Sequence, residues 1–361
     1  ALTYPDIRLV YWAGGNPFHH HQDLNRLVDA FRQPECVIVN EIWWTATARH
    51  ADIVFPITTV LERNDLMVTK WEPMATPMHK AIEPIGESRN DYDVFSELAA
   101  RLGFYEAFTE GRSEEEWLRH LWNQARQRAG EANFELPDFD VFWKEGPKEV
   151  LKAQDKKILL ETFRNDPQKN PLATPSGKIE IFSDVIAGFR YDDCPGHPVW
   201  MEPFEWLGSK AAKNFPLHII SNQPSTRLHS QLDSGAVSKG SKINDREPMT
   251  MNPEDAASRG IRTGDIVKIF NDRGSCLAGV NLSENIMPGV IQLATGAWFD
   301  PAVPGEIGAL CKHGNPNVLT MDKGTSRLAQ GPTALSTLVE VEIFDDDIPT
   351  VTAHLPPTIS S

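Results

Sequence analysis

Chemistry in this sequence concentrates in a few short stretches, and the densest is GGNPFHHHQDLNR, Gly14–Arg26. Two glycines, an Asn-Pro pair, three consecutive histidines and a Gln-Asp pair separate an apolar run from a helical pattern. A loop between the carboxyl end of a strand and the start of a helix gathers backbone N–H groups and the positive end of the helix dipole, which favours an anion. The glycines let the backbone come close to a ligand. Glu41, in VNEIWW, closes the next apolar run, where doubly wound sheets set a carboxylate against a ribose. Metal ligation by His19, His20 and His21 is the competing chemistry. Neighbouring side chains diverge in helix and strand alike, so at most about two of them meet one ion. A catalytic zinc site takes about three ligands from separate positions. Hydrogen bonding to a nucleotide or pterin suits the loop better.

The elements that must carry these groups follow from the hydrophobic pattern. IRLVYWA (Ile7–Ala13) reads as a buried parallel strand, DLNRLVDAFRQ as a helix stopped by Pro34, and CVIVNEIW and ADIVFPI as two further strands. Strand, helix, strand in that order is a βαβ unit with a right-handed crossover. DYDVFSELAARLG (Asp91–Gly103) is an amphipathic helix with Gly103 as its C-terminal cap. From about Phe104 to Trp206, a charged helix (SEEEWLRHLWNQARQRAG) precedes Pro-, Asp- and Trp-rich sequence without periodicity, the mark of an insertion. Within it TPSGKIEIFS (Thr174–Ser183) reads as a turn feeding a short strand. From FPLHIISNQP onward the pattern is all-β. GDIVKIFNDRGSCLAGVNLS alternates by twos about NDRG, as a hairpin does. NPEDAASRGIRTGD adds a short helix closed by Gly260, and GVIQLATGAW and TLVEVEIF add strands. A small barrel is the expected outcome.

A chain of 361 residues, 40% hydrophobic and 24% charged, accommodates two or three domains with real cores. The net charge of −15 argues against a general nucleic-acid or anionic-membrane surface. No apolar run approaches the roughly 20 residues of a membrane span. Cys36, Cys194, Cys276 and Cys311 stand singly without a CxxC, which argues against a zinc ribbon or cysteine-ligated iron–sulfur cluster within the chain. The opening ALTYPDIRL has neither an initiator Met nor a signal-peptide pattern, and the chain is expected to begin within a longer protein.

Taken together, YWAGGNPFHHHQDLNRL, WTATARHADIVFP, LERND and RNDYDVF resemble the molybdopterin oxidoreductases of the dimethyl sulfoxide reductase family. Within it they are most similar to the trimethylamine-N-oxide and biotin sulfoxide reductase branch. TPSGKIEIFS, SNQPSTRLHSQLD, MNPEDAASRGIRTGD, FNDRG, GNPNVLT and GTSRLAQG continue the likeness in the same order over nearly the whole chain. The resemblance covers the carboxyl-terminal half of such an enzyme. It implies an α/β dinucleotide-binding-like domain over 1–206, with a helical and irregular insertion from about 104, and then a six-stranded double-psi β-barrel over 207–361. Each domain largely grips one of the two pyranopterins of bis(molybdopterin guanine dinucleotide). The serine that ligates the molybdenum belongs to the amino-terminal half, which this sequence lacks.

By the same resemblance, Gly15, Asn16, His20 and Gln22 form the first nucleotide loop. Glu41, where many relatives have Asp, holds a ribose or base edge. Arg63 offers its guanidinium fork to a phosphate or a stacked base, or else pairs with Glu62 or Asp65. One of Asp91 and Asp93 faces guanine N1 and N2, the motif register favouring Asp91; otherwise both serve the helix terminus. In the barrel, Ser221, Asn222 and His229 contact the second dinucleotide, and Asn317 and Gln330 meet polar edges of pterin or nucleotide. Trp298 either lines a substrate funnel or packs in the core. The implied activity is two-electron oxygen-atom transfer from trimethylamine N-oxide, dimethyl sulfoxide or biotin sulfoxide. Its partners would be the amino-terminal half of the same enzyme, an electron-donor cytochrome or reductase, and the small oxide, with neither nucleic acid nor membrane insertion. No hydrolytic triad accompanies these motifs, and the chain by itself is expected to be inactive. The alternative is an isolated, non-catalytic nucleotide- or pterin-binding module or fragment.

Overall fold

The computed structural model of the chain describes residues 5–69, 72–150, 158–333 and 335–357. Two compact units emerge: the chain up to Val54 together with everything from Ile181, and Phe55–Glu180.

In the first unit β1 (Leu9–Ala13) pairs in parallel with β2 (Cys36–Glu41), in register from Leu9↔Cys36 to Ala13↔Asn40. The crossover carries α1 (Pro17–His20) and α2 (Leu24–Phe31). Asp23, at φ +49, caps α2 by accepting the Arg26 N–H at 3.2 Å. The expected βαβ unit is thus in place. β3 (Ile53–Pro56) completes the sheet in the order β1-β2-β3 and leads into the second unit.

The second unit has its own antiparallel sheet of β4 (Asp65–Val68), β5 (Met74–Met78) and β6 (Lys148–Glu149). Around it lie α3 (Asp91–Leu102), α4 (Tyr105–Thr109), α5 (Glu114–Glu131) and α6 (Phe139–Glu145). Gly103 ends α3 at φ +82, and Ser113 with Glu116 forms a capping box at the start of α5. Trp122 stacks on Phe142 with ring centroids 3.7 Å apart, and Ala75, Leu118 and Phe139 close the core around them. The strand read into TPSGKIEIFS does not form. The turn is there, Gly177 N–H donating to Thr174 O at 2.9 Å, but Ile179 and Ile181 remain 65% and 81% exposed. Alternation alone makes no strand without a neighbouring ladder, and among the described residues none runs beside it.

The remainder of the first unit is a closed barrel of β7 (Leu217–Ile220), β8 (Pro248–Met251), β9 (Ile266–Asn271), β10 (Gly274–Leu282), β11 (Val290–Leu293) and β12 (Leu338–Ile343). Its order is β10-β8-β11-β7-β12-β9. β9 and β10 form the expected hairpin, while β7 with β11 and β8 with β10 are parallel, so the chain crosses over itself twice. Inward residues such as Leu217, Ile219, Met249, Met251, Ile269 and Ile291 share one core with Phe18, Leu24 and Val28 of the crossover.

Two of the four cysteines come together inside this core. Cys276 and Cys311 face each other across an isolated parallel bridge, both fully buried, and burial pushes both thiols above the ordinary range. A thiol-titrating reagent is therefore expected to label Cys36 and Cys194 in the native protein and the other two only in denaturant. Rapid native labelling of all four would contradict the packing.

Candidate functional site

The loop after β1 is built by its own side chains. Gly14 and Gly15 take φ +97 and +81, a region closed to most side chains, and Trp12 Nε1 donates to Gly15 O at 3.0 Å to hold that turn. Asn16 precedes α1 and accepts at Oδ1 from the Thr47 hydroxyl. Gln22 Nε2 donates to His20 O at 3.0 Å. Glu41, at the end of β2, accepts from Ile42 N at 2.9 Å and Thr45 Oγ1 at 3.0 Å, while burial holds its carboxyl above the usual range. Its oxygens therefore stabilise the 41–45 turn.

The histidine triplet divides by burial. His19 points inward, 4% exposed, with neither ring nitrogen partnered, and desolvation lowers its pKa to about 3. His20 and His21 are exposed or nearly so. Burial also lowers the His20 pKa, followed by the charges of His21 and His229.

Asn317 has a different task from the one its type suggests. It is 6% exposed; its Nδ2 donates to His19 O at 2.7 Å and its Oδ1 accepts from Thr320 Oγ1 at 3.0 Å. Asn315, which sequence reasoning passed over, donates to Phe18 O at 3.1 Å. The GNPN turn clamps the histidine loop from behind. Ser221 and Asn222 follow β7, half-buried; the Asn222 Oδ1 is a buried acceptor without a partner. Gln330 is exposed and folds back onto Ser326 O at 2.9 Å. Trp298 is 5% exposed, packed 5.8 Å from His19 and donating to Ser230 O at 3.0 Å, so it is a core residue.

In the second unit Arg63 and Asp93 line one cavity of about 340 Å³, with Glu62, Lys80, Asn90 and Glu114. Arg63 donates to Thr58 O at 3.0 Å and pairs with Asp65 at 3.2 Å rather than with Glu62. Glu62 accepts N–H groups from Thr59 and Ile85, each at 2.7 Å, and these keep its carboxyl below the ordinary range. Burial and then the Asp93 charge push the Glu114 carboxyl up. Asp91, two residues earlier on α3, is not among the lining residues. Of the cavity residues unread from sequence, Asn90 sits in the RNDYDVF motif, whereas Lys80 and Glu114 lie in stretches with no signal.

Behind the barrel loops lies a buried ionic cluster. Lys242 Nζ reaches Asp233 Oδ1 and Glu247 Oε2, both at 2.8 Å, and Arg227 pairs with the same two carboxylates at 3.4 and 3.1 Å. Burial works to raise the Asp233 carboxyl, but the hydrogen bond from His354, whose Nε2 lies 3.1 Å from its Oδ2, and then the neighbouring His313, Lys242 and Arg227 hold it far below the ordinary range. Asp233, His313 and His354 have the composition of a metal site. The hydrogen bonding argues otherwise: His313 Nδ1, the atom facing Asp233, lies 3.0 Å from Trp298 O, an acceptor that requires a proton there. A protonated Nδ1 offers no lone pair to an ion, and the Lys242 ammonium and Arg227 guanidinium already neutralise the carboxylates.

Among the described residues no helix is long and apolar enough to cross a membrane. Residues 2–101 match the family model "Molybdopterin oxidoreductase" and residues 217–338 the "Molydopterin dinucleotide binding domain". A trimethylamine-N-oxide reductase of Haemophilus influenzae is 50% identical over 99% of this chain and 44% of its own length. A dimethyl sulfoxide/trimethylamine N-oxide reductase of Cereibacter sphaeroides is 47% identical over 98% of the chain and 43% of its own length. A biotin sulfoxide reductase from the same organism is 47% identical, covering 95% and 46%. The chain thus spans under half the length of these relatives. Acetylene hydratase from Pelobacter acetylenicus shares the fold, with a TM-score of 0.70 and 21% identity over 93% of the chain and 44% of that protein. The glycine–histidine loop, the twice-crossed barrel and these matches agree: the chain belongs to the molybdopterin oxidoreductases, as an α/β portion followed by their double-psi dinucleotide-binding barrel.

Proposed function

We propose that this chain is the cofactor-gripping portion of a molybdenum-dependent S-oxide or N-oxide reductase, holding bis(molybdopterin guanine dinucleotide) through two separate sets of residues. The overall change removes one oxygen from the oxide with two electrons and two protons, releasing sulfide or amine and water. The metal, when bound, supplies the two-electron oxygen-atom transfer. The chain's residues bind and orient. Gly15, Asn16, His20 and Gln22, with Glu41, offer N–H, amide, imidazole and carboxylate groups to one dinucleotide. Ser221, Asn222 and His229 serve the other, the unpartnered Asn222 Oδ1 being a buried acceptor that awaits a donor. Asn317 acts by clamping the first loop, and Gln330 bonds within its own loop to Ser326 O. A complementary amino-terminal portion would bring the metal ligand, and an electron-donor protein would complete the cycle.

The observation that carries this reading is that Arg63 and Asp93 line one cavity. A carboxylate accepts two parallel hydrogen bonds from guanine N1 and N2, and a nearby guanidinium suits the phosphates. Calorimetry with GMP tests it. Asp93→Ala removes a charge-assisted pair worth about 1.5–3 kcal/mol and should weaken GMP binding by roughly 10- to 100-fold. Asp91→Ala should change it by less than about two-fold. Equal losses from both variants, or none, would discard the assignment.

A further inference from the structure

His229 holds a backbone conformation that its residue type disfavours. Its φ is +50, left-handed and without the freedom of glycine, while its side chain is exposed. Such a conformation is strained for a residue with a Cβ and persists only where the surroundings enforce it. Two contacts on the same carbonyl do so. Arg227 Nε donates to His229 O at 3.0 Å. Gly296, at φ +95, lies directly against that oxygen: a Cβ there would sit 1.8 Å from His229 O and 2.4 Å from its carbonyl carbon.

The same two elements are joined elsewhere. Arg227 donates a second time to Thr295 O at 2.9 Å, and Thr295 N donates to Asn222 O at 2.9 Å. Gln223 Nε2 donates to Arg227 O at 2.9 Å, and a third guanidinium nitrogen reaches Ser238 Oγ at 3.1 Å. The Arg227 side chain is wholly buried, so it touches no ligand. Its charge is matched by Asp233 and Glu247, which lets one planar fork serve three directions at once.

We infer that Arg227 and Gly296 are positioning residues that lock the strained His229 backbone, so that the imidazole stands ready in the second dinucleotide site. The inference rests on the reading that His229 contacts that ligand. Fixing the loop beforehand removes the ordering cost that a mobile loop would meet on binding.

The test uses the full chain and guanosine diphosphate as probe, with binding read by calorimetry in every variant and, where His229 is present, also by its ring proton signal in NMR. Gly296→Ala must displace the His229 carbonyl, and is expected to weaken the binding phase reported by His229 roughly ten-fold. The phase abolished by Asp93→Ala should stay unchanged. Arg227→Lys keeps the charge but cannot reach His229 O, Thr295 O and Ser238 Oγ together, and should give the same selective loss if Gly296→Ala fails to fold. His229→Ala combined with Arg227→Lys should weaken binding no further than His229→Ala alone. If His229→Ala weakens binding while Gly296→Ala and Arg227→Lys remain folded and bind normally, the positioning role is refuted and the site survives. If His229→Ala itself binds guanosine diphosphate as well as the parent, the site reading falls and the inference with it.

Discussion

Lys242→Met is expected to destabilise the barrel unit by about 3–5 kcal/mol, enough to threaten its folding. The ammonium is 2% exposed and bridges Asp233 and Glu247 at 2.8 Å each. Its removal leaves two buried carboxylates with Arg227 as the one Lys or Arg cation among the described residues still paired to them. Methionine keeps the length of the stem, so the loss measures charge rather than volume. Denaturant unfolding of Lys268→Met supplies the contrast. Lys268 pairs with Glu342 at 3.1 Å, but the two side chains are 35% and 52% exposed, and such pairs contribute at most about 1 kcal/mol. Similar losses from both lysines would show that the buried quartet has no special weight.

Acid is expected to be nearly as damaging, and to act well above the carboxylate range. His19 and His313 are held neutral by burial with pKa values near 3, as is clear from their lowering to about 3. In the unfolded chain each returns to about 6.5. Between those values the unfolded chain binds more protons than the folded one, so stability falls as pH falls. Each histidine contributes about 1.4 kcal/mol of loss per pH unit below about 6.5, and two units remove roughly 5 kcal/mol from the pair. Asp233 adds to this only lower down. Its folded pKa is depressed, so its contribution is present above its unfolded value and lost below it. Glu41, raised by burial, opposes the trend weakly. Circular dichroism during acid titration should show unfolding centred at about pH 5, and His313→Gln should move the midpoint downward. Retention of full structure at pH 4 would rule out the neutral, buried state of these rings.

Much of the framework was legible because local pattern and tertiary environment agree. The alternation on either side of NDRG gave the β9–β10 hairpin, and Gly103 ended α3 where the apolar stripe ran out. Pro248–Met251 carries no such pattern; PMTM becomes a strand because β10 and β11 flank it. KIEI had the pattern and no neighbours, and stayed irregular. In the second unit the motifs named Arg63, Asp91 and Asp93, with the register favouring Asp91; the fold instead sets Asp93 on the cavity with Arg63, a difference invisible in sequence because both aspartates suit a helix start. The triplet could not reveal that His19 turns inward and His20 outward, because burial belongs to the far side of the loop. Arg227, Asp233, Lys242 and Glu247 follow no period and became a cluster only through the closed barrel. Asn317 had the right chemistry for a ligand contact and was drawn instead to the His19 carbonyl.

The division of the first unit into two sequence segments bears on how the protein is made. Phe18 stacks beside Phe299 at 5.9 Å, in one core with the barrel strands. A ribosome completes the segment holding Trp122 and Phe142 before it has produced Phe299. That middle segment is able to collapse during translation, while the histidine loop must wait, uncovered, for the last strands to emerge. A nascent chain halted near Ser183 should accordingly resist protease across its middle and be cut around Phe18.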